Sequence, residues 1–374
     1  MISSQYRGRA VVASLCAAAL AVTALVVVVV PEVAQAGPKP RPVKVMTRNL
    51  YLGADLTPAI LATTPLELAT ATTEIWDTVM ATDFPERAKV LAYEIADADP
   101  DLIGLQEAAI WRTQFPGNGP PILGGTPAET PFYDYLQLLL DELEAIGTPY
   151  VVVSSQDEAD IESTTLGGLD IRLTQRDVIL AKGSKVDAGE LDCTKDQGAQ
   201  YPSDIQLSLP LLGGVVFVES TRGYVWADCV VNKRAFRFVN THLEAFSALA
   251  RSAQASFLAQ SGPANDMSQP VVLVGDLNSD PRGAGPTAFN VLFWNGYVDT
   301  WAQVNDDADG FTSGFNQFVD DPDASVLSRR IDHVMTRPEV EVRKSRVTGT
   351  DSDNRTPGGL WPSDHAGLIT TLAP

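Results

Sequence analysis

Polar and apolar positions along this chain follow two rhythms, one alternating at every second residue and one repeating at helical spacing. Val43-Lys-Val-Met-Thr-Arg-Asn49 alternates and is rich in β-favouring residues, which predicts a strand ending at Asn49. Asp101-Leu-Ile-Gly-Leu-Gln-Glu107 predicts a second strand, closed by a carboxylate. Further strands are expected at Val151 to Ser154, Asp177 to Ala181, Tyr224 to Ala227, Phe236 to Asn240, Val271 to Val274, Arg330 to Met335 and Leu368 to Leu372. Helical composition runs over residues 65–98, with Pro85 as the main interruption. Leu136, Leu139, Leu140, Leu143 and Ile146 recur at helical spacing and predict an amphipathic helix over Tyr133 to Ile146. Ala245 to Gln260 is also helical, and Asn290 to Trp301 is a further candidate. Trp111 to Pro131 is rich in Gly and Pro and reads as a surface loop. Strands and helices interleave, and some strand neighbours are close enough for hairpins. A mixed α/β sandwich therefore fits better than a purely parallel doubly wound sheet.

The first 36 residues stand apart. Arg7 and Arg9 make a basic start, Ala10 to Val30 is almost wholly apolar, and Ala34-Gln35-Ala36 fits a small-residue cleavage site before Gly37. The apolar stretch is long enough to span a bilayer as an uncleaved anchor, but the cleavage site favours a signal peptide over 1–36 and a secreted product. Residues 37–42 form a short Pro-rich linker. No repeat or linker divides the remainder, so residues 43–374 are expected to be one domain. With 374 residues and 45% hydrophobic content, the chain can bury a large core.

The formal charge is −20, and residues 1–36 carry a net +1, which leaves −21 beyond them. Such a field repels polyanions and argues against nucleic-acid affinity through phosphate neutralisation alone. Bound divalent metal can invert the potential locally, so a nuclease is not excluded. Beyond Cys16 only Cys193 and Cys229 remain, and an even pair in an exported protein is expected to form a disulfide, with two buried thiols as the other reading.

The chain has three histidines, and each lies in a short polar motif after an apolar run. They are His242 in Asn240-Thr241-His242, His333 in Ile331-Asp332-His333 and His365 in Ser363-Asp364-His365. Asp276 and Asn278 flank Leu277 at the end of another apolar run, and positions two apart in an extended segment share a face. Hard cations such as Mg2+ take oxygen ligands, and Glu107 closes a strand where one could bind. Histidine supplies proton transfer near neutral pH, and an adjacent carboxylate such as Asp332 fixes an imidazole's tautomer.

In order, Met46-Thr-Arg-Asn49, Leu105-Gln106-Glu107, Asn240-Thr241-His242, Gly275-Asp276-Leu277-Asn278, Arg330-Ile331-Asp332-His333 and Ser363-Asp364-His365 resemble the motifs of the endonuclease/exonuclease/phosphatase family, which includes deoxyribonuclease I and bacterial sphingomyelinases. The resemblance spans Val43 to Leu372. It implies a four-layer sandwich of two mixed β-sheets flanked by helices, an α/β (α+β) fold with the site at one rim. It also implies that Glu107 binds the metal, helped by Asn49 and Asp364. Mg2+ is the implied cofactor, with Mn2+ or Ca2+ as substitutes. Asp276 and Asn278 would orient water and phosphate. His365, braced by Asp332, would serve acid/base chemistry or transition-state stabilisation, with His242 across the phosphate. Asp177 is a candidate brace for His242, and His333 reads as structural. Tyr51 follows Leu50 after Asn49, which departs from members with a further ligand on that strand.

These features point to a secreted metal-dependent phosphodiesterase, expected to be a monomer without a stable protein partner. Its substrate would be nucleic acid or a phospholipid such as sphingomyelin. Arg112, Arg172, Arg176, Arg222 and Arg282 are candidate rim contacts for nucleic acid, but their spacing makes no basic stripe. Leu209 to Val218 is an apolar insertion in which Gly213-Gly214 could turn a hairpin, buried or membrane-inserting. The competing reading is a catalytically silent binding module on the same fold. It would usually have lost one of Glu107, Asp276, His242 or His365, and all four are present.

Overall fold

The structure is a computed structural model that describes residues 41–202, 205–211, 214–285, 287–306 and 308–373. The expected signal peptide, its cleavage site and most of the linker lie outside the described residues, as does Gly213 of the expected hairpin turn. The strands are β1 (Val43–Asn49), β2 (Leu102–Gln106), β3 (Ile110–Gln114), β4 (Thr130–Asp134), β5 (Tyr150–Thr164), β6 (Asp170–Lys182), β7 (Leu191–Gln200) and β8 (Ile205–Leu211). They continue with β9 (Gly214–Ser220), β10 (Gly223–Val231), β11 (Arg234–His242), β12 (Val271–Asp276), β13 (Val298–Asp299), β14 (Asp332–Arg337), β15 (Glu341–Thr348) and β16 (Gly367–Ala373). The helices are α1 (Thr57–Ile60), α2 (Pro65–Ala81), α3 (Phe84–Ala98), α4 (Tyr135–Ala145), α5 (Gly183–Asp187), α6 (Ala248–Gln260) and α7 (Ala288–Trp294).

Two mixed sheets pack face to face. The first is eight-stranded, ordered β15-β16-β1-β2-β6-β3-β4 with β5 along the other edge of β6. The second runs β13-β14-β12-β11-β10-β7, and β8-β9 is a separate ribbon. Val45, Leu102, Ile179, Phe238, Val272 and Val334 fill the space between the sheets. Leu91, Ile95, Leu139 and Leu143 seal α3 and α4 onto the outer face of the first sheet. Leu258 and Leu292 seal α6 and α7 onto the second. The four-layer sandwich expected from the sequence is therefore present.

Local chemistry explains the element ends. Thr64 and Glu67 form a reciprocal capping box that starts α2. Pro85 lies in the first turn of α3, so it opens that helix where an interruption was expected. Gly296, at φ +86°, ends α7, and Val298–Asp299 then pairs with β14, so the helix is shorter than the candidate Asn290–Trp301. Ile110–Gln114 and Thr130–Asp134 are strands within the stretch read as loop, because β3 pairs with β6 and β4 with β3. The polar strands β7 and β15 were not anticipated; both are sheet edges and lack the apolar run that betrays an interior strand. Cys193 and Cys229 form the expected disulfide, bridging registered positions of β7 and β10.

One tie sets the spacing of the sheets near the rim. Asn240, on β11, donates from Nδ2 to the carbonyls of Leu105 (2.8 Å) and Val178 (3.0 Å) in the other sheet, and its Oδ1 accepts from Gln106 Nε2 at 2.6 Å. The sheets approach so closely here that a Cβ on Gly104 would lie 2.5 Å from Val274 Cγ2 and 2.6 Å from Asn240 Oδ1. Gly104→Ala is therefore expected to lower unfolding free energy by roughly 1–3 kcal/mol through overpacking. Gly167→Ala, with only Thr165 Oγ1 near at 3.8 Å, should stay within about 0.5 kcal/mol. Urea unfolding of both variants is the check, and equal effects would contradict the close approach.

Candidate active site

Strand register gathers the motif residues on one edge. His242 pairs with Asp276 across β11 and β12, and Asp276 pairs with Asp332 across β12 and β14. Asp332 opens β14, two residues into the stretch Arg330 to Met335 expected as a strand. Since β14 runs antiparallel to β12, its start meets the same rim. Asn49 pairs with Gln106 at the ends of parallel β1 and β2, so Glu107 follows at that rim. Ser363 binds the His365 segment to this edge, since its Oγ donates to Asn49 O at 2.8 Å and accepts from the His365 amide at 3.1 Å. Buried Arg87 donates to the carbonyls of Leu50 (2.8 Å), Tyr51 (3.1 Å) and Pro362 (2.9 Å), clamping the loop after β1 to the segment before His365. Sequence reasoning missed this arginine, because a helix-borne Arg reads as surface.

His365 lies among carboxylates. Its Nδ1 bonds Asp332 Oδ2 at 2.8 Å, which turns Nε2 towards Asp276 Oδ2 (3.9 Å) and Asp364 Oδ1 (4.0 Å). Burial pushes its pKa down, but Asp332, Asp364 and Asp276 outweigh that and hold it well above the usual histidine value. This imidazole is positively charged at neutral pH. Asp276 itself is pushed up to about 7 by burial, with Asp332 adding to the rise. It accepts from the Asn278 amide at 2.8 Å and from Asn49 Nδ2 at 3.2 Å.

His242 has the opposite surroundings. Arg222 Nη1 lies 3.0 Å from its Nδ1, and Asn278 Nδ2 lies 3.1 Å from its Nε2. Burial, then Arg222 and His365, depress its pKa well below the usual value, so it is neutral. The expected Asp177 brace is not formed at the ring: Nδ1 accepts from Arg222, so the neutral ring carries its proton on Nε2, 3.5 Å from Asp276 Oδ2, while the Asp177 and Glu158 carboxyls lie beside it. Two buried carboxyls explain this. Burial and Glu158 raise Asp177 well above the carboxylate range, and burial raises Glu158 to about 7. Glu158 and Arg222 are residues the sequence did not reveal in these roles, since β5 was read only as far as Ser154.

The metal-ligand candidates divide. Glu107 and Asp364 both line the pocket of about 390 Å³ that also exposes His242, Asp276, Asn278 and His365. Asp364 is raised to about 6, by burial first and also by the charge of Glu107. Glu107 Oε2 accepts the Leu52 amide at 2.8 Å, which leaves Oε1 on the His242 side at 4.0 Å from Nε2. Asn49 stands behind these two: its Oδ1 accepts the Tyr51 amide at 2.8 Å, which leaves that oxygen one lone pair, and its Nδ2 donates to Asp276 Oδ2 at 3.2 Å. His333 is structural as expected, held by Ser279 O at 2.9 Å and pushed down to about 4 by burial and Arg330. Of the five candidate rim arginines only Arg222 lines the pocket, and it is buried. Arg172, Arg176 and Arg282 are paired with Asp160, Asp134 and Asp309.

A family model described as endonuclease/exonuclease/phosphatase matches residues 81–365. Solved structures share the fold. An endonuclease/exonuclease/phosphatase family protein from Bacteroides thetaiotaomicron is 19% identical, with TM-score 0.55, covering 90% of this chain and 98% of its own. A mannosyl-6-phosphatase from the same species is 19% identical, with TM-score 0.55 and coverage of 88% and 99%. A family protein from Bacteroides vulgatus is 15% identical, with TM-score 0.52 and coverage of 89% and 99%. No curated protein matches the chain.

The raised carboxyls make a stability prediction. Glu158 (about 7), Asp276 (about 7) and Asp364 (about 6) hold protons more tightly folded than unfolded, so their stabilisation is lost as pH rises through those values. His365, also raised, has the same sign, whereas lowered His242 and His333 add stability only up to the ordinary histidine value. With divalent cations chelated, Tm should therefore fall from about pH 6.5 to 8. Glu158→Gln should flatten that slope in scanning calorimetry, and a Tm that rises across the window would contradict the assignment.

Proposed function

This chain belongs to the endonuclease/exonuclease/phosphatase family, and we propose that it is a secreted, divalent-metal-dependent phosphodiesterase acting by in-line attack of water. Membership makes it a phosphoester hydrolase. The observation that carries the finer reading is the pairing of a charged imidazole with a neutral one across a shared carboxylate. His365 and His242 both face Asp276 Oδ2, at 3.9 and 3.5 Å.

Glu107 and Asp364 fit a hard cation. They are oxygen donors on one pocket, and the burial that raises Asp364 is the condition a bound cation relieves. Mg2+ is the proposed ion, with Mn2+ or Ca2+ as substitutes. Bound there, it would polarise a phosphoryl oxygen as a Lewis acid. The chain's own residues supply the rest. Asp276, raised to about 7, is basic enough to accept a proton from the attacking water. Asn278 is anchored to Leu243 O at 3.0 Å and positions the phosphate. His365 keeps its proton and offsets charge developing on the phosphoryl oxygens, with Asp332 holding the ring. His242, neutral, contributes a hydrogen bond without adding charge. Export is supported by the residues 1–36 pattern, by the Cys193–Cys229 bridge and by the acidic charge, and a monomer needs no partner to complete the pocket.

The purified chain from Gly37 onward should hydrolyse bis-p-nitrophenyl phosphate with Mg2+ and stop when a chelator is added. His365→Ala and Glu107→Ala should each lower kcat/KM by about 10²–10⁴-fold, while turnover unchanged in both variants would overturn the site. N-terminal sequencing of the exported protein is expected to begin at Gly37, and an intact Met1 terminus on membranes would point to the anchor instead.

A further inference from the structure

Beside the catalytic pocket lies a second cavity of different character. Ile60, Leu68 and Ile75 of α1 and α2 face Ile161 of β5 and Ile171 and Leu173 of β6 across it. It shares Leu56, Gln175, Arg222 and Phe246 with the catalytic pocket, so the two spaces meet at one wall. On its other side it shares Leu68 and Ser163 with an open groove along Leu66 and Leu123, both exposed. Three concavities therefore follow in succession, from the phosphate site through an apolar interior to an apolar surface.

The charge pattern decides what can lie there. Among the described residues Arg222 is the one charged group in the cavity wall, and its charge is committed: it lies 3.7 Å from Glu158, 3.7 Å from Glu244 and 3.0 Å from His242. A chain of further phosphates would meet no cation along this path. An aliphatic chain would exchange water for Ile, Leu and Trp111 surface. A substituent of an ester bound next door lies within reach of the cavity, since Leu56, Gln175, Arg222 and Phe246 line both spaces.

We propose that this cavity is a subsite for an unbranched alkyl chain, so that the substrate is a phosphodiester bearing a lipid-like aliphatic group on one ester oxygen. The inference rests on the phosphodiesterase reading, and its test separates the two. Alkyl p-nitrophenyl phosphates from methyl to octyl are assayed with Mg2+. The expected result is a kcat/KM that rises about three- to fourfold per methylene, the factor for burying one, and then levels once the cavity is filled. Ala159→Leu on β5 and Ala59→Trp on α1 each narrow the cavity, and neither residue lines the catalytic pocket. In each variant the octyl-to-methyl ratio should collapse, and two independent variants guard against one that fails to fold. A flat chain-length series in a protein that still turns over bis-p-nitrophenyl phosphate overturns the subsite and leaves the phosphodiesterase standing. If no ester is hydrolysed, the phosphodiesterase reading fails, and calorimetric binding of n-alkylphosphonates still decides the cavity. Affinity that grows with chain length and loses that growth in Ala159→Leu supports the subsite, and length-independent affinity overturns it. A dinucleotide hydrolysed faster than the octyl ester would also overturn it.

Discussion

The Asn240 side chain is the constraint on which the rest of this structure depends. It sits at the end of one sheet and spends both amide hydrogens and its carbonyl on the other, bonding Leu105 O, Val178 O and Gln106 Nε2. All these groups are buried, so each unmade bond would cost the full desolvation of a polar group. The bridge therefore tolerates little sliding between the sheets. Thr241 and His242 follow on the same strand, and Glu107 follows Gln106 on the other. Fixing one buried amide thus fixes the separation between the two halves of the pocket. Gly104 is the complement of this choice, since no side chain fits where the amide arrives.

From that frame comes an electrostatic division between two imidazoles. His365 meets Asp332, Asp364 and Asp276, and His242 meets Arg222 and an amide. The same residue type is thereby held in opposite states a few ångströms from one carboxylate. A second positive charge at His242 would hold Asp276 ionised at neutral pH and repel a cation at Glu107. The arrangement gives the pocket one fixed positive group and one uncharged hydrogen-bonding group before any ligand enters.

Much of this was legible in the chain, and the reason is regular. β2 and β12 carry the apolar runs of strands buried on both faces, and β1 and β11 alternate, so all four could be read nearly to their ends. Motifs at those ends, Gln106-Glu107, Thr241-His242 and Asp276-Leu277-Asn278, are carried to one rim by register alone. What stayed hidden acts across sequence distance. The polar half of β5, which carries Glu158, lacks an apolar run because it lies at a sheet edge. Arg222 reads as a surface residue until β9 and β10 turn it inwards against Gln175 and His242. Asp177 was found as a neighbour of His242 but misread as its brace, since sequence shows neither Arg222 at the ring nor the second carboxyl that Asp177 must share space with.

The buried Arg222 also bears on what the protein can act upon. An acidic chain of net −20 that cut nucleic acid would need unpaired cations near the phosphate path. Four arginines are committed, Arg172, Arg176 and Arg282 to carboxylates and Arg222 to the interior beside His242, while exposed Arg329 lines the phosphate pocket and donates to Ser313 Oγ. With Arg222 buried and Arg329 the one exposed arginine among the pocket's described lining residues, selectivity must draw on uncharged surface as well. The apolar cavity shares Arg222 itself with the phosphate pocket, so the guanidinium that adds to burial in keeping His242 neutral also forms the boundary between polar and apolar space. A single buried side chain thereby couples the state of a catalytic ring to the shape that chooses the ester. Neither role requires Arg222 to touch solvent, which is why its charge does nothing to recruit a polyanion.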